Sequence, residues 1–206
     1  MADLAGKRAL VCGGTSGIGA ATAEALRDRG AAVTILARSA SGDAALACDL
    51  EDIDALTITI KKEIDANGAF EILVNNSAGP PAGPLLEAAP ADFEKAMRRH
   101  LHASHTLVQL LLPGMRAAGY GRIINIISTS VKEPIPGLGV SNTVRGAMAA
   151  WAKTLAKELP PGITINSVLP GFTATQRLEE LKQTLAEQRG VTPTEVEAAG
   201  LPPPPG

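Results

Sequence analysis

The chain has 206 residues, 45% of them hydrophobic and 19% charged, with a formal net charge of −2. That balance predicts one folded domain with a sizeable core rather than a disordered chain. The near-neutral charge provides no basic footprint for nucleic acid, and no apolar run is long enough to cross a bilayer. No charged-apolar-small leader opens the chain, so a cytoplasmic protein is expected. Aromatic residues make up only 2%. The core must therefore be aliphatic, which suits a parallel sheet covered by helices on both faces. Cys12 and Cys48 lie in apolar strand-like stretches and read as reduced core thiols.

Residues 8–12 form a short apolar run ending in glycines and read as a first strand. Residues 18–29 place Ile18, Ala21, Ala25 and Leu26 on one side, a helical spacing that Gly30 ends. Residues 32–37 and 44–48 read as the second and third strands, 71–74 as the fourth, 122–127 as the fifth and 164–168 as the sixth. Helices are predicted over 54–66, over 91–118 with a pause before Pro113, and over 142–159. Within the first of these, Thr57-Ile58-Thr59-Ile60 alternates as a strand would, but a parallel sheet needs a crossover there. Strand–helix alternation predicts an α/β fold, a doubly wound parallel sheet of Rossmann type in three α/β/α layers. One domain is expected over residues 1–200, with a proline-rich mobile tail at 201–206.

The first strand runs directly into Gly13-Gly14-Thr15-Ser16-Gly17-Ile18-Gly19, and a helix begins inside that run. Glycines let the backbone turn tightly and let a diphosphate approach. The free N–H groups and positive dipole end of the helix then face the phosphates. Placed between the first strand and first helix of an alternating chain, this loop points to a dinucleotide at the C-terminal edge of the sheet.

Further segments accompany the loop. Asp49-Leu50 follows the third strand and Asn75-Asn76-Ser77-Ala78-Gly79 the fourth. Pro113-Gly114-Met115 precedes Gly121-Arg122-Ile123-Ile124-Asn125, Ser128 follows the fifth strand, and Pro170-Gly171-Phe172-Thr173-Ala174-Thr175 follows the sixth. From about residue 7 to about residue 177 these motifs resemble the short-chain dehydrogenase/reductase family, and in particular its 3-oxoacyl-carrier-protein reductase branch. The resemblance implies that Gly13, Thr15, Ser16, Gly17, Ile18 and Gly19 hold the diphosphate of NAD(P). It implies that Asp49 and Leu50 hold the adenine, and that Asn76, Ser77 and Ala78 line the cofactor site. Pro170, Gly171, Thr173 and Thr175 correspond to the segment that holds the nicotinamide carboxamide, and Ser128 to the catalytic serine. Arg38 ends the second strand where a base favours the 2′-phosphate, so NADP is expected ahead of NAD.

The chain also departs from the family. The Tyr-x-x-x-Lys pair is replaced by Ser141-Asn142-Thr143-Val144-Arg145, and the position of the relay Asn holds His100. Tyr120 lies before the fifth strand and cannot substitute. A serine hydroxyl is a far poorer acid than a phenol of pKa about 10. Arg145 stays protonated, so it can hold the ribose and place charge near the site but cannot give up a proton. Losing a general acid costs roughly 10²–10⁴ in rate without abolishing hydride transfer, which is the cofactor's chemistry. His100, with a reference pKa near 6.5, is a candidate replacement acid; the alternative is a histidine packed at a helix bend. His102 and His105 share no ligand spacing with it, so no metal is expected.

The expected activity is hydride transfer between NADP(H) and a carbonyl or alcohol of a small-molecule substrate. Ser128 would bond the oxygen, Arg145 would hold the ribose, and Ser141 or His100 would handle the proton through water. A non-catalytic dinucleotide-binding or sensing protein on the same fold is the main rival, and a structural subunit of a hetero-oligomer a third. No nucleic-acid or membrane partner is expected. A homodimer or homotetramer would form through the long helices, one carrying Val144, Met148, Trp151, Ala152 and Leu155 at helical spacing. Two spacings are unusual. Only residues 38–43 separate the second and third strands, so either that crossover is nearly extended or one of the two strands is mis-assigned, and the adenine side should be more open. Relatives continue past the sixth strand with a helix pair and a further edge strand; here the sixth strand is expected to be an edge, which should weaken a tetramer.

Overall fold

A computed structural model describes residues 3–171, 173 and 176–198. Its centre is a parallel sheet of β1 (Arg8–Cys12), β2 (Ala32–Ala37), β3 (Ala45–Ala47), β4 (Ile72–Asn75), β5 (Gly121–Ile126) and β6 (Ile163–Val168). The strand order is β3-β2-β1-β4-β5-β6. Val11 of β1 lies beside Ile35 of β2 on one side and Val74 of β4 on the other. The chain reverses its direction of progress across the sheet between β1 and β4. Crevices in α/β sheets open beyond the strand ends at such a reversal.

Alternate side chains from the strands go to opposite faces. Leu10, Cys12, Leu36 and Leu73 pack with Leu56 and Ile60 of α2 (Ile53–Asn67), Leu107 and Leu111 of α4 (Ala103–Ala117), and Ala152 of α5 (Gly139–Leu155). Ala9, Val11, Val33, Ile72 and Val74 pack on the other face with Ala23 of α1 (Gly17–Arg27). The doubly wound α/β fold is thus the one predicted, with an aliphatic core on both faces. The helical reading of 54–66 holds because Asp52 caps α2: its Oδ1 accepts from the Ala55 N–H at 2.9 Å. A cap of this kind satisfies one of the free first-turn donors and overrides the strand-like alternation that follows.

Four differences from the sequence expectation have physical causes. The interruption in the long helical segment falls not before Pro113 but at residues 98–102: α3 (Pro90–Met97) passes through a π turn, Arg98–His102, into α4. Pro113 sits inside α4. An interior proline costs about 3 kcal/mol, and the burial of Leu107, Val108, Leu111 and Met115 on that helix offsets it. Second, residues 38–44 form turns and bends instead of an extended crossover. No covering helix is required there because β3 turns Leu46 to the α2–α4 side and gives only Ala45 and Ala47 to the other. Third, α5 begins at Gly139, so Ser141 lies in its first turn. Fourth, helices follow β6: α6 (Gln176–Arg189) and α7 (Pro193–Ala198). Among the described residues β6 pairs only with β5, and Val168 at its end is 48% exposed. Thr175 and the proline-rich end, 201–206, lie outside the described residues.

Candidate active site

A cleft of about 530 Å³ opens beyond the C-terminal ends of β1, β2 and β4. Its floor is the glycine loop. Gly13 and Gly17 have φ of 60° and 53°, in the left-handed region that disfavours side chains. A Cβ on Gly19 would stand 2.1 Å from the Gly13 carbonyl oxygen and 2.7 Å from Asn76 Nδ2, so α1 can pack against the loop only if this residue has no side chain. The loop is held from both neighbouring strands. The Gly13 N–H donates to the Leu36 carbonyl at 2.8 Å, and Asn76 Nδ2 donates to the carbonyls of Cys12 at 3.3 Å and Gly13 at 3.2 Å. Ser16 is the N-cap of α1 but its side chain makes no cap hydrogen bond. The first-turn amides therefore keep their donors for a ligand. Gly13, Thr15, Ser16, Gly17 and Ile18 line the cleft.

At one end of the cleft stand Arg38, which leaves β2 and is exposed, and Asp49 with Leu50, which follow β3. Cys48 lies beside them, and burial raises its thiol pKa. Cys12 is pushed up to about 12 by burial. Both cysteines are free and buried, as reduced core thiols would be.

Ser77, Ala78, Ser128, Ser141, Arg145, Pro170, Gly171 and Thr173 line the opposite end. Ser128 caps a short 3-10 turn: its Oγ accepts from the Ser130 N–H at 3.0 Å, so the hydroxyl proton stays available to an incoming acceptor. Arg145 is 9% exposed and donates from Nη1 to the carbonyl of Ile126, at the end of β5, at 2.8 Å. Asn142 donates from Nδ2 to the Ile135 carbonyl at 2.9 Å and so fixes the loop that leads into α5. Pro80, Ile135, Leu138 and Leu178 add apolar lining to the cleft. Sequence reasoning did not single out these four, nor Arg99, which also lines the cleft. Arg99 had a signal, since it adjoins His100.

His100 is not among the residues that line the cleft, contrary to the role of replacement acid considered for it. It is 3% exposed in the π turn, with Nδ1 2.7 Å from Ser77 Oγ. Burial, then the charges of Arg145 and Arg99, push its pKa down to about 3. At neutral pH it is an uncharged hydrogen-bonding partner of Ser77. The folded-state value lies below the unfolded value of 6.5, so between the two the unfolded chain binds more protons. The stability gained by keeping His100 neutral is complete above pH 6.5 and is lost as the pH falls toward 3. Each pKa unit corresponds to about 1.4 kcal/mol. Thermal melting between pH 7 and pH 4 should therefore show a steep loss of stability that His100→Asn flattens. An equally steep loss in that variant would sink the assignment.

Gly19 likewise lies behind the loop and does not face the cleft; its contribution is the close approach just described. Among the described residues no group of three or more His, Cys, Asp or Glu side chains is placed to hold a metal ion, and no helix is long and apolar enough to cross a membrane.

Comparisons with known proteins agree with this geometry. The family profile described as short chain dehydrogenase matches residues 7–186. The chain is 32% identical over 213 residues to the 3-oxoacyl-(acyl-carrier-protein) reductase FabG of Vibrio harveyi, spanning 97% of this chain and 85% of that protein. It is 32% identical over 198 residues to the short-chain reductase protein NovJ of Streptomyces niveus, spanning 88% and 74%. Among solved structures, L-sorbose reductase from Gluconobacter frateurii, complexed with NADPH and L-sorbose, superposes with a TM-score of 0.83. Its identity is 26%, over 91% of this chain and 78% of that one. Fold, glycine loop and family profile together make this chain a member of the short-chain dehydrogenase family, resembling the 3-oxoacyl-carrier-protein reductases.

Proposed function

We propose that the cleft binds NADP(H) and that the chain passes a hydride between it and a carbonyl or alcohol, with 3-oxoacyl compounds the first class to test. The observation that carries this reading is the glycine loop, where an uncapped helix start faces the cleft and Gly19 lets α1 close on the loop. Such a helix start suits a diphosphate. Gly13, Thr15, Ser16, Gly17, Ile18 and Gly19 would form that cradle, and Arg38 would take the 2′-phosphate. Asp49 and Leu50 would hold the adenine. Asn76, Ser77, Ala78 and Arg145 would lie along the nicotinamide riboside, with Pro170, Gly171, Thr173 and Thr175 at the carboxamide.

When bound, the nicotinamide supplies or accepts the hydride. Ser128 donates its hydroxyl proton as a hydrogen bond to the substrate oxygen. Arg145 places a permanent positive charge in the same wall, where developing negative charge on that oxygen is stabilised. Ser141 passes the proton through water, slowly, because an alcohol is a weak acid. His100, neutral and set behind Ser77, holds that serine in place and takes no proton. The small-molecule site would work in a cytoplasmic homodimer or homotetramer built through α4 and α5.

A second reading, a dinucleotide sensor without turnover, is favoured by one observation. Tyr120, the one tyrosine of the sequence, lies just before β5 with Lys7 at 4.7 Å and Arg122 at 4.1 Å from its ring, and it does not line the cleft, so no phenol stands there to give a proton. Titration of NADPH and NADH fluorescence, followed by a panel of ketones, aldehydes and 3-oxoacyl thioesters, separates the readings. NADPH should bind more tightly than NADH, and Arg38→Asp should weaken NADPH by about 10-fold or more through loss of the charge-assisted contact. Binding without turnover across the panel would leave the sensor; failure to bind either nucleotide would overturn both readings.

A further inference from the structure

We infer that the ion pair between Glu51 and Arg99 is a positioning clamp, which fixes the loop after β3 to the π turn and thereby sets the adenine end of the cleft. The inference rests on the dinucleotide reading above. The loop itself is ordered from within. The Glu51 N–H donates to Asp49 Oδ1 at 3.0 Å, the Asp52 N–H donates to the Asp49 carbonyl at 3.1 Å, and Asp52 caps α2. These contacts shape the turn but tie it only to its own helix. Glu51 reaches outward to Arg99 Nη2, a partner 48 residues away in sequence. The two side chains are 24% and 19% exposed. Fully exposed pairs contribute little. This one is largely shielded and joins distant segments, so what it restricts is where the loop sits.

The π turn makes a second tie one residue later, from His100 to Ser77 in the loop after β4. Consecutive side chains of one wide turn thus hold a loop at each end of the cleft. π turns insert an extra residue and commonly lie at functional sites. Beneath them is a cavity of about 10 Å³, lined in part by Leu50, Asn76, Ser77, Arg99 and Ser104, room for a single water. Leu50 and Arg99 line both that cavity and the cleft. A shift of the loop would therefore move Asp49 and Leu50 relative to the glycine loop.

The test uses the full chain, with NADPH fluorescence titration, competition by adenosine 2′,5′-bisphosphate as the adenine half alone, and thermal melting. Glu51→Gln and Arg99→Gln should each weaken NADPH about 10-fold, and the double variant should be no worse than the weaker single, as expected for one shared interaction. The adenine half should weaken in parallel, and Arg99→Lys should recover most of the affinity. Lower melting temperatures with unchanged affinities would reduce the pair to a structural contact and overturn the clamp, as would additive effects of the two substitutions. A wild-type chain that binds neither nucleotide would overturn the dinucleotide reading itself, a result distinct from wild-type binding with insensitive variants.

Discussion

Gly19→Ala should raise the Kd for NADPH by at least about 100-fold, equivalent to about 2.8 kcal/mol. A methyl group there would stand 2.1 Å from the Gly13 carbonyl oxygen and 2.7 Å from Asn76 Nδ2, distances no packed Cβ tolerates. Either α1 tilts away from the loop or the Asn76 bonds to Cys12 and Gly13 break, and both move the first-turn amides off a diphosphate. The same shift should lower the melting temperature, because the loop is tied to β2 and β4. Gly146→Ala is the matched control. It lies inside α5 with open space around its Cβ, and adding a methyl there should stabilise by roughly 0.5–1 kcal/mol without touching NADPH affinity. Unaltered NADPH binding in Gly19→Ala would mean that the loop is not a phosphate cradle.

The second large effect is a gain. Ser141→Tyr with Arg145→Lys should raise carbonyl reduction by about 10²–10⁴, the range a positioned general acid contributes. Ser141 occupies the first turn of α5 and lines the cleft, so a phenol there would point its hydroxyl at the same wall as Ser128. A lysine at position 145 keeps the positive charge, and a cation beside a phenol favours its ionised form. The tyrosine alone should give less, since the longer Arg145 side chain is committed in part to the Ile126 carbonyl. Steady-state kcat/KM on the best substrate of the panel decides the matter. NADPH binding retained with no gain in either variant would argue that no carbonyl enters this end of the cleft.

The strands and the glycine loop were legible because both depend on local chemistry: apolar runs for the sheet, and glycines where φ is positive or a Cβ would collide. Most of the cleft lining was legible through the family motifs. What escaped were features set by packing across the chain. Pro113 looked like a break, but buried neighbours hold α4 together through it. The π turn has no composition of its own, and within it Arg99 lines the cleft while His100 does not. His100 has a suitable reference pKa in isolation; its burial and the approach of Arg145, neither visible in sequence, join the adjacent Arg99 in holding its pKa far below that value. Helix α6 was overlooked because its charge density masks the i, i+4 series Leu178, Lys182 and Ala186, of which Lys182 and Ala186 are buried.

The helix-free connection between β2 and β3 has a further consequence. The β2–β3 ladder rests on only Ile35, Leu36 and Ala37 against Ala45, Leu46 and Ala47, and on the side away from α2 and α4 the strand β3 contributes only alanines. Little apolar area restrains that margin, so it should open locally well before the rest of the sheet unfolds. Arg38 leaves one of these strands and Asp49 follows the other, so each opening event would separate the residue proposed for the 2′-phosphate from the one proposed for the adenine. Amide exchange in β3 should then be fast in the free chain and slow with nucleotide, making stiffness at this margin part of the affinity.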